Sequence, residues 1–185
     1  MNQSMTPLER IIVPLDVPGE KEAIALINTL PQVTFWKVGL ELFVSSGPTI
    51  ITALKKRGKR IFLDLKLHDI PNTMAGACRA AGRYSVDLLT VHATAGSVAL
   101  SAAQTAADDG AKEAGCPSPR VIAVTLLTSI NPEALSSELK VLMPVADYAQ
   151  HMATLAKDSG LRGAVCSPQE ANLLEAAWGK ACWLL

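Results

Sequence analysis

Short runs of β-branched residues alternate with longer Ala- and Leu-rich stretches along the whole chain. This alternation is typical of repeated βα units, in which helices connect parallel strands. We expect strands over 10–16, 34–38, 60–66, 88–92, 121–127, 163–166 and 181–185. We expect helices near 20–30, 49–57, 73–84, 98–111, 145–159 and 168–177. No linker interrupts this pattern, so residues 1–185 are interpreted as a single α/β domain.

Polar and ionisable residues recur where the expected strands end, at Asp16, Lys37, Asp64, Lys66, His92, Thr128, Ser129 and Ser167. An open doubly wound sheet has the same local pattern, but it binds ligands mainly where its strand order reverses. A closed barrel instead uses the ends of many strands. The distribution therefore favours a (β/α)8 TIM barrel.

The chain length does not match that of a whole barrel. Such a barrel usually has about 250 residues and eight strands, whereas this chain has 185 residues. Since Trp183, Leu184 and Leu185 end the chain within an apolar run, we expect it to be truncated within the seventh strand. It would then lack roughly the last two βα units, leaving strands one and seven with unpaired edges.

Charge and cysteine usage limit the classes of partner. The chain has 17 Lys+Arg and 17 Asp+Glu, a formal net charge of zero, which argues against nucleic-acid and membrane-surface binding. A small-molecule partner is expected. The four cysteines are widely spaced, without a C-x-x-C or the clustered histidines of a zinc site, so we interpret them as reduced thiols. With no apolar targeting segment at the start, a cytoplasmic protein is predicted.

The segment 61–73 begins as an apolar strand and then places three charges close together. Strand alternation directs Asp64 and Lys66 to the same face, with Asp69 beyond the strand end. Lys37, at the end of the neighbouring strand, can approach Asp64 from the other side. A purely structural ion-pair network is the alternative interpretation of these charges. Asp16 can be a helix cap, a ligand for hydroxyl groups, or both.

The segment Asp64-Leu65-Lys66-Leu67-His68-Asp69-Ile70-Pro71-Asn72-Thr73 closely resembles the signature of the orotidine 5′-monophosphate decarboxylases. These enzymes catalyse the last step of de novo UMP synthesis, in pyrimidine biosynthesis. The resemblance extends, in order, to the segments 13–16, 37–39, 91–93, 124–129 and 165–168. It implies a carboxy-lyase that converts orotidine 5′-monophosphate (OMP) to UMP and CO₂.

The resemblance implies that Lys66 is the general acid that protonates C6 of the pyrimidine after CO₂ leaves. Asp64 would flank the scissile carboxylate. Lys37 would hold Asp64 and a ribose hydroxyl. Asp69 would come from the partner subunit of a homodimer, completing an alternating Lys-Asp-Lys-Asp array. An ammonium group fixed beside the developing carbanion stabilises it without reorganisation.

The resemblance also implies the substrate contacts. Asp16 would bind ribose hydroxyl groups, and Ile70 and Thr73 would reach the neighbouring subunit's ligand across the dimer interface. Thr128, with Ser129 adjacent, would contact the pyrimidine. No cofactor and no metal ion are implied. The family binds the substrate phosphate mainly through a loop after strand seven and an Arg-containing turn after strand eight, and we expect neither in these 185 residues.

Two other functions remain open from the sequence. A metal-dependent sugar-phosphate lyase of the same suprafamily, such as hexulose-phosphate synthase, shares Asp-x-Lys-x-x-Asp, although the continuation from His68 to Thr73 resembles the decarboxylase. An inactive barrel fragment that needs a complementary segment is the third possibility. His68 and His92 are tempting acid-base residues, but neither is chosen as a catalyst.

Overall fold

The computed structural model of the chain describes residues 7–168, 170–178 and 183–184. Its strands form one parallel sheet in which neighbours follow in chain order. They are β1 Ile12–Pro14, β2 Phe35–Gly39, β3 Arg60–Leu67, β4 Leu88–His92, β5 Arg120–Val124, β6 Gly163–Val165 and β7 Trp183–Leu184. A doubly wound sheet reverses its strand order at a switch point, and no reversal occurs among these strands. The prediction of an α/β barrel architecture is confirmed.

Helices follow the strands along the described chain. They are α1 Glu20–Thr29, α2 Leu40–Ser46, α3 Thr49–Lys55, α4 Pro71–Arg83, α5 Ser97–Glu113, α6 Pro132–Ser137, α7 Val145–Asp158 and α8 Ala171–Trp178. Short 3₁₀ helices cover Pro7–Arg10 and Ala93–Ala95. None of the helices within the described residues has the length and apolar character that a bilayer span requires.

Two helices and several boundaries differ from the expectations. The helices α2 and α6 were not predicted, since each has only about two turns and a weak periodic pattern. The helix α4 begins at Pro71 rather than Thr73, because proline lacks the N–H that the first turn leaves unpaired. The strand β5 ends at Val124, which places 125–129 in a loop. Cys182 and the rest of the expected strand 181–185, apart from β7, lie outside the described residues.

The sheet has two different apolar faces. One cluster contains only strand residues, with buried Phe35, Phe62, Leu88 and Ile122 packed against Ile12 and Val165. The alternate strand residues, such as Trp36, Leu63 and Leu89, pack with helix residues in a larger cluster. Because side chains alternate along a strand, the small cluster lies on the face of the sheet away from the helices, where the interior of a barrel would be.

The helices α4 and α5 pack very closely, and two glycines allow this. A Cβ at Gly82 would lie 2.3 Å from the carbonyl oxygen of Ala107, and one at Gly110 would lie 2.1 Å from that of Arg79. The opposing backbones therefore leave no room for a methyl group at either position. At Gly76, also in α4, an added Cβ would meet no atom within 4 Å.

Two alanine substitutions in α4 test this packing. Gly82→Ala must push the helices apart, so we expect it to lower the free energy of unfolding by about 1–3 kcal/mol. Gly76→Ala is the matched control, and we expect it to raise that free energy by up to about 1 kcal/mol because alanine loses less backbone entropy. Urea unfolding followed by circular dichroism measures both. Equal stability of the two variants would contradict the close approach.

Candidate active site at the carboxyl ends of the strands

A layer of polar side chains follows the small apolar cluster, on the face of the sheet away from the helices. Lys37, Asp64 and Thr90 each come two residues after a member of that cluster, namely Phe35, Phe62 and Leu88. Residues two apart on a strand share a face. Three adjacent strands, β2, β3 and β4, therefore direct one polar side chain each towards the same region, near their carboxyl ends.

The polar side chains form a continuous array centred on Asp64. Lys66 Nζ donates a hydrogen bond to Asp64 Oδ2 at 2.7 Å, and Lys37 Nζ lies 3.7 Å from the same oxygen. Lys37 Nζ also donates to Asp16 Oδ1 at 2.8 Å. Asp64 is only 8% exposed, so its charge needs these partners. The structure thus brings together Asp16, Lys37, Asp64 and Lys66.

Gly39 leaves room for part of this array. A Cβ at this position would lie 3.1 Å from Lys37 Nζ and 3.4 Å from Asp16 Oδ1. The first distance is tighter than ordinary van der Waals contact, so any larger residue would crowd the ion pair. The contact between Asp16 and Lys37 was not predicted from the sequence, because it depends on the register between β1 and β2, which local sequence patterns do not specify.

Thr90 is a polar residue of the site that was not predicted from the sequence. Its side chain is completely buried, and its Oγ1 contacts both the Lys66 backbone and the Asp64 carboxylate. The sequence feature that pointed to it was a single threonine among the apolar residues of β4, on the same face as His92. That pattern alone does not indicate a partner, since a strand threonine commonly packs as a β-branched residue.

Asp69, Ile70 and Thr73 lie apart from the array, at the junction of β3 and α4. All three are exposed, Ile70 to 67%. Asp69 Oδ1 accepts a hydrogen bond from the Ile70 backbone N–H at 2.7 Å, and within the described residues Asp69 forms no ion pair. Asp69 and Ile70 line an open groove of about 490 Å³. Their predicted contribution to a neighbouring subunit stays a prediction.

Thr128 and Ser129 are exposed in the loop after β5. Thr128 lines a cavity of about 380 Å³ between this loop and the segment after β6, together with Leu126, Leu127, Ile130, Val145, Ser167, Pro168 and Glu170. Ser129 is not among the residues that line this cavity. The structure therefore places Thr128, and not Ser129, on a concave surface.

Two histidines border the array. The ring centroids of His68 and His92 lie 5.5 Å apart, with the rings tilted by 42°. Burial lowers the pKa of His92 below 6.5, and the nearby His68 and Lys66 charges lower it further, while Asp64 opposes them. We infer that His92 is mainly neutral at pH 7, which limits the positive charge beside Lys66.

No group of three or more His, Cys, Asp or Glu side chains in the described part of the chain is arranged to bind a metal ion. Asp64 Oδ2 instead contacts the ammonium groups of Lys37 and Lys66. We therefore assign no metal ligand among these residues.

The lowered pKa of His92 predicts a pH dependence of stability. Since the folded-state pKa lies below the ordinary value of 6.5, the unfolded chain binds protons more readily. The contribution of neutral His92 to the free energy of unfolding is fully present above pH 6.5, and it is lost as the pH falls through the folded-state pKa. We expect His92→Gln to lose less stability than the unsubstituted protein between about pH 7.5 and about pH 5, measured by urea unfolding. Equal losses would contradict this assignment.

Comparison with known proteins agrees with the geometry. The model of the "Orotidine 5'-phosphate decarboxylase / HUMPS family" matches residues 9–185. A protein of Nostoc sp. named orotidine 5'-phosphate decarboxylase is 60% identical over 162 residues, 88% of this chain and 68% of the relative. A protein of the same name from Gloeothece citriformis is 58% identical, with 92% of this chain and 72% of the relative covered.

Solved structures give the same result for the fold. The crystal structure of orotidine 5'-phosphate decarboxylase from Lactobacillus acidophilus superposes with a TM-score of 0.86 at 36% sequence identity, covering 94% of this chain and 78% of that one. An uncharacterized conserved protein from Geobacillus kaustophilus superposes with a TM-score of 0.88 at 40% identity, covering 94% of this chain and 82% of that one.

Proposed function

The chain belongs to the orotidine 5'-phosphate decarboxylase / HUMPS family, and from this we propose that it converts OMP to UMP and CO₂ with Lys66 as the proton donor. The observation that supports the role of Lys66 is its 2.7 Å contact with Asp64 Oδ2 at the carboxyl ends of the strands. In barrel enzymes the reacting groups lie at this end. The named relatives are decarboxylases, which favours this activity over the metal-dependent lyase.

In the proposed reaction, the bond between C6 and the carboxylate carbon breaks, and its electron pair stays on C6. Lys66 Nζ then delivers a proton to C6, so the products are UMP and CO₂. The ammonium group lies next to the negative charge as it develops, held by Asp64 before the reaction begins. A fixed charge of this kind stabilises the transition state without reorganisation. We give repulsion between Asp64 and the substrate carboxylate second place as a source of catalysis, because ground-state destabilisation is contested as a cause of rate enhancement.

We propose that Lys37 and Asp16 bind the ribose. Lys37 Nζ lies between the two carboxylates, 2.8 Å from Asp16 Oδ1 and 3.7 Å from Asp64 Oδ2. A hydroxyl group beside this pair would find both a donor and an acceptor. We propose that Thr128, which lines the cavity between the loop after β5 and the segment after β6, contacts the pyrimidine, and that Ser129 assists it.

We also propose a homodimer in which Asp69, Ile70 and Thr73 of one subunit serve the other subunit's site. What supports this position is accessibility, since Ile70 is 67% exposed and lines an open groove together with Asp69, where a second subunit can reach both side chains. The proposed place of the reaction is de novo pyrimidine biosynthesis in the cytoplasm, with a small-molecule substrate and no nucleic-acid partner.

Substitution of Lys66 tests the proton donor. We expect Lys66→Ala to lower kcat by at least about 10²–10⁴-fold, because a positioned general acid contributes that much. Lys66→Arg should be nearly inactive as well, since guanidinium does not release its proton. Loss of OMP absorbance with time measures both. Lys112→Ala, at an exposed lysine of α5, is the control and should keep ordinary turnover. Ordinary turnover of Lys66→Arg would exclude the acid role.

Mixing two inactive variants tests whether Asp69 acts in the partner's site. We expect Lys66→Ala and Asp69→Ala each to lose most activity alone. In a two-fold dimer with shared sites, random exchange should restore about one quarter of the unsubstituted activity, because half the dimers are mixed and each has one intact site. Activity is measured after subunit exchange. No recovery, with exchange shown by mass spectrometry, would mean that Asp69 acts within its own subunit.

A further inference from the structure

One buried hydroxyl connects the two central residues of the site. Thr90 Oγ1 lies 2.9 Å from the Lys66 backbone nitrogen and 2.9 Å from Asp64 Oδ1. Thr90 has no exposed surface. Both contacts cross from β4 to the carboxyl end of β3.

The chemistry of the three groups defines the direction of both hydrogen bonds. A backbone N–H can only donate, so the Thr90 oxygen accepts from Lys66. An ionised carboxylate can only accept, so the single Thr90 hydroxyl proton goes to Asp64 Oδ1. The other Asp64 oxygen, Oδ2, faces the ammonium groups of Lys66 and Lys37. The hydroxyl and the two ammonium groups therefore contact opposite oxygens of the carboxylate, and together they fix its orientation.

The backbone at Lys66 has an unusual conformation that needs support. Leu63 pairs with Leu89 and Leu67 pairs with Val91, so β3 contains more residues than β4 over this stretch and the ladder is interrupted. Lys66 lies in this bulge with a φ of 50°, a region that residues other than glycine rarely adopt. Such strain persists only where the surrounding structure holds it. Within the bulge, the Thr90 hydroxyl oxygen accepts a hydrogen bond from the Lys66 backbone N–H.

We infer that Thr90 is a positioning residue for the decarboxylation proposed above, on which this inference rests. Its hydroxyl holds the Lys66 backbone in the bulge and orients the Asp64 carboxylate, so that Lys66 Nζ and Asp64 Oδ2 face each other. Thr90 acts through Lys66 and Asp64, and it need not touch the substrate. Loss of the hydroxyl should therefore affect the chemical step more than substrate binding.

Two variants separate the hydroxyl from the shape of the side chain. Thr90→Val keeps the β-branched shape but leaves both the Lys66 N–H and Asp64 Oδ1 without this partner. Thr90→Ser keeps the hydroxyl and removes only the methyl group. We expect Thr90→Val to lower kcat by about 10²-fold, the size of effect that a small misplacement of a reacting group produces. Its KM for OMP should change by less than about threefold, and Thr90→Ser should stay within about fivefold of the unsubstituted kcat.

Thr125→Val is the matched control. Thr125 is a buried threonine directly after β5, and its Oγ1 donates to the Val165 carbonyl oxygen at 3.1 Å rather than to the array. That carbonyl also accepts from the Thr125 backbone N–H, so it keeps a partner. We expect a kcat within about threefold of the unsubstituted protein. If Thr90→Val keeps ordinary kcat, or if Thr90→Ser is no better than Thr90→Val, Thr90 has no positioning role.

A second readout does not depend on turnover. We expect the NMR signal of the Lys66 side-chain ammonium group to move in Thr90→Val and to stay in place in Thr90→Ser. The Lys66 backbone amide should exchange its proton about tenfold faster in Thr90→Val. Unchanged signals would overturn the inference. Failure of the proposed function gives a different result. In that case the unsubstituted chain does not turn over OMP, or Lys66→Ala does not reduce its turnover. The NMR shifts still decide whether Thr90 positions Lys66.

Discussion

The site depends on one buried carboxylate that needs several partners at once. Asp64 accepts from Lys66, lies near Lys37 and accepts from the Thr90 hydroxyl. A single carboxylate charge in this position would be strongly unfavourable, because the desolvation penalty is several kcal/mol per ion in proteins. The partners come from three adjacent strands, β2, β3 and β4. The register of the parallel sheet is therefore a condition for the electrostatics of the site.

The junction between β3 and α4 links this array to the rest of the fold. The bulge at Lys66 ends the regular strand, and Pro71 begins α4 shortly afterwards. Behind the sheet, Gly82 allows α4 to lie against α5. Between the bulge at Lys66 and the helix α4, Asp69 and Ile70 remain exposed. The same segment thus places Lys66 in the array and presents an acidic and an apolar residue outward, as the proposed shared site requires.

Sequence patterns predicted the larger elements well because each has its own period or composition. All the predicted helices are present, and each predicted strand has a counterpart, with the last described only at Trp183–Leu184. The misses have physical causes. The helices α2 and α6 are too short for a helical period to be distinguished from noise. The α6 start did carry a readable cap, since Asn131 accepts a hydrogen bond from the Ala134 N–H at 2.8 Å.

The sequence by itself determined the family and the residue types of the chemistry, since the segment Asp64 to Thr73 contains both the strand and its charges. Strand alternation predicted that Asp64 and Lys66 share a face, and the two side chains are in contact at 2.7 Å, although Lys66 lies in a bulge where the regular ladder is interrupted. Only the tertiary structure decided that Asp16 pairs with Lys37 and that Thr90 supports Lys66. Those contacts join residues more than twenty positions apart. They depend on the register between strands and on an interrupted ladder, which local sequence patterns do not specify.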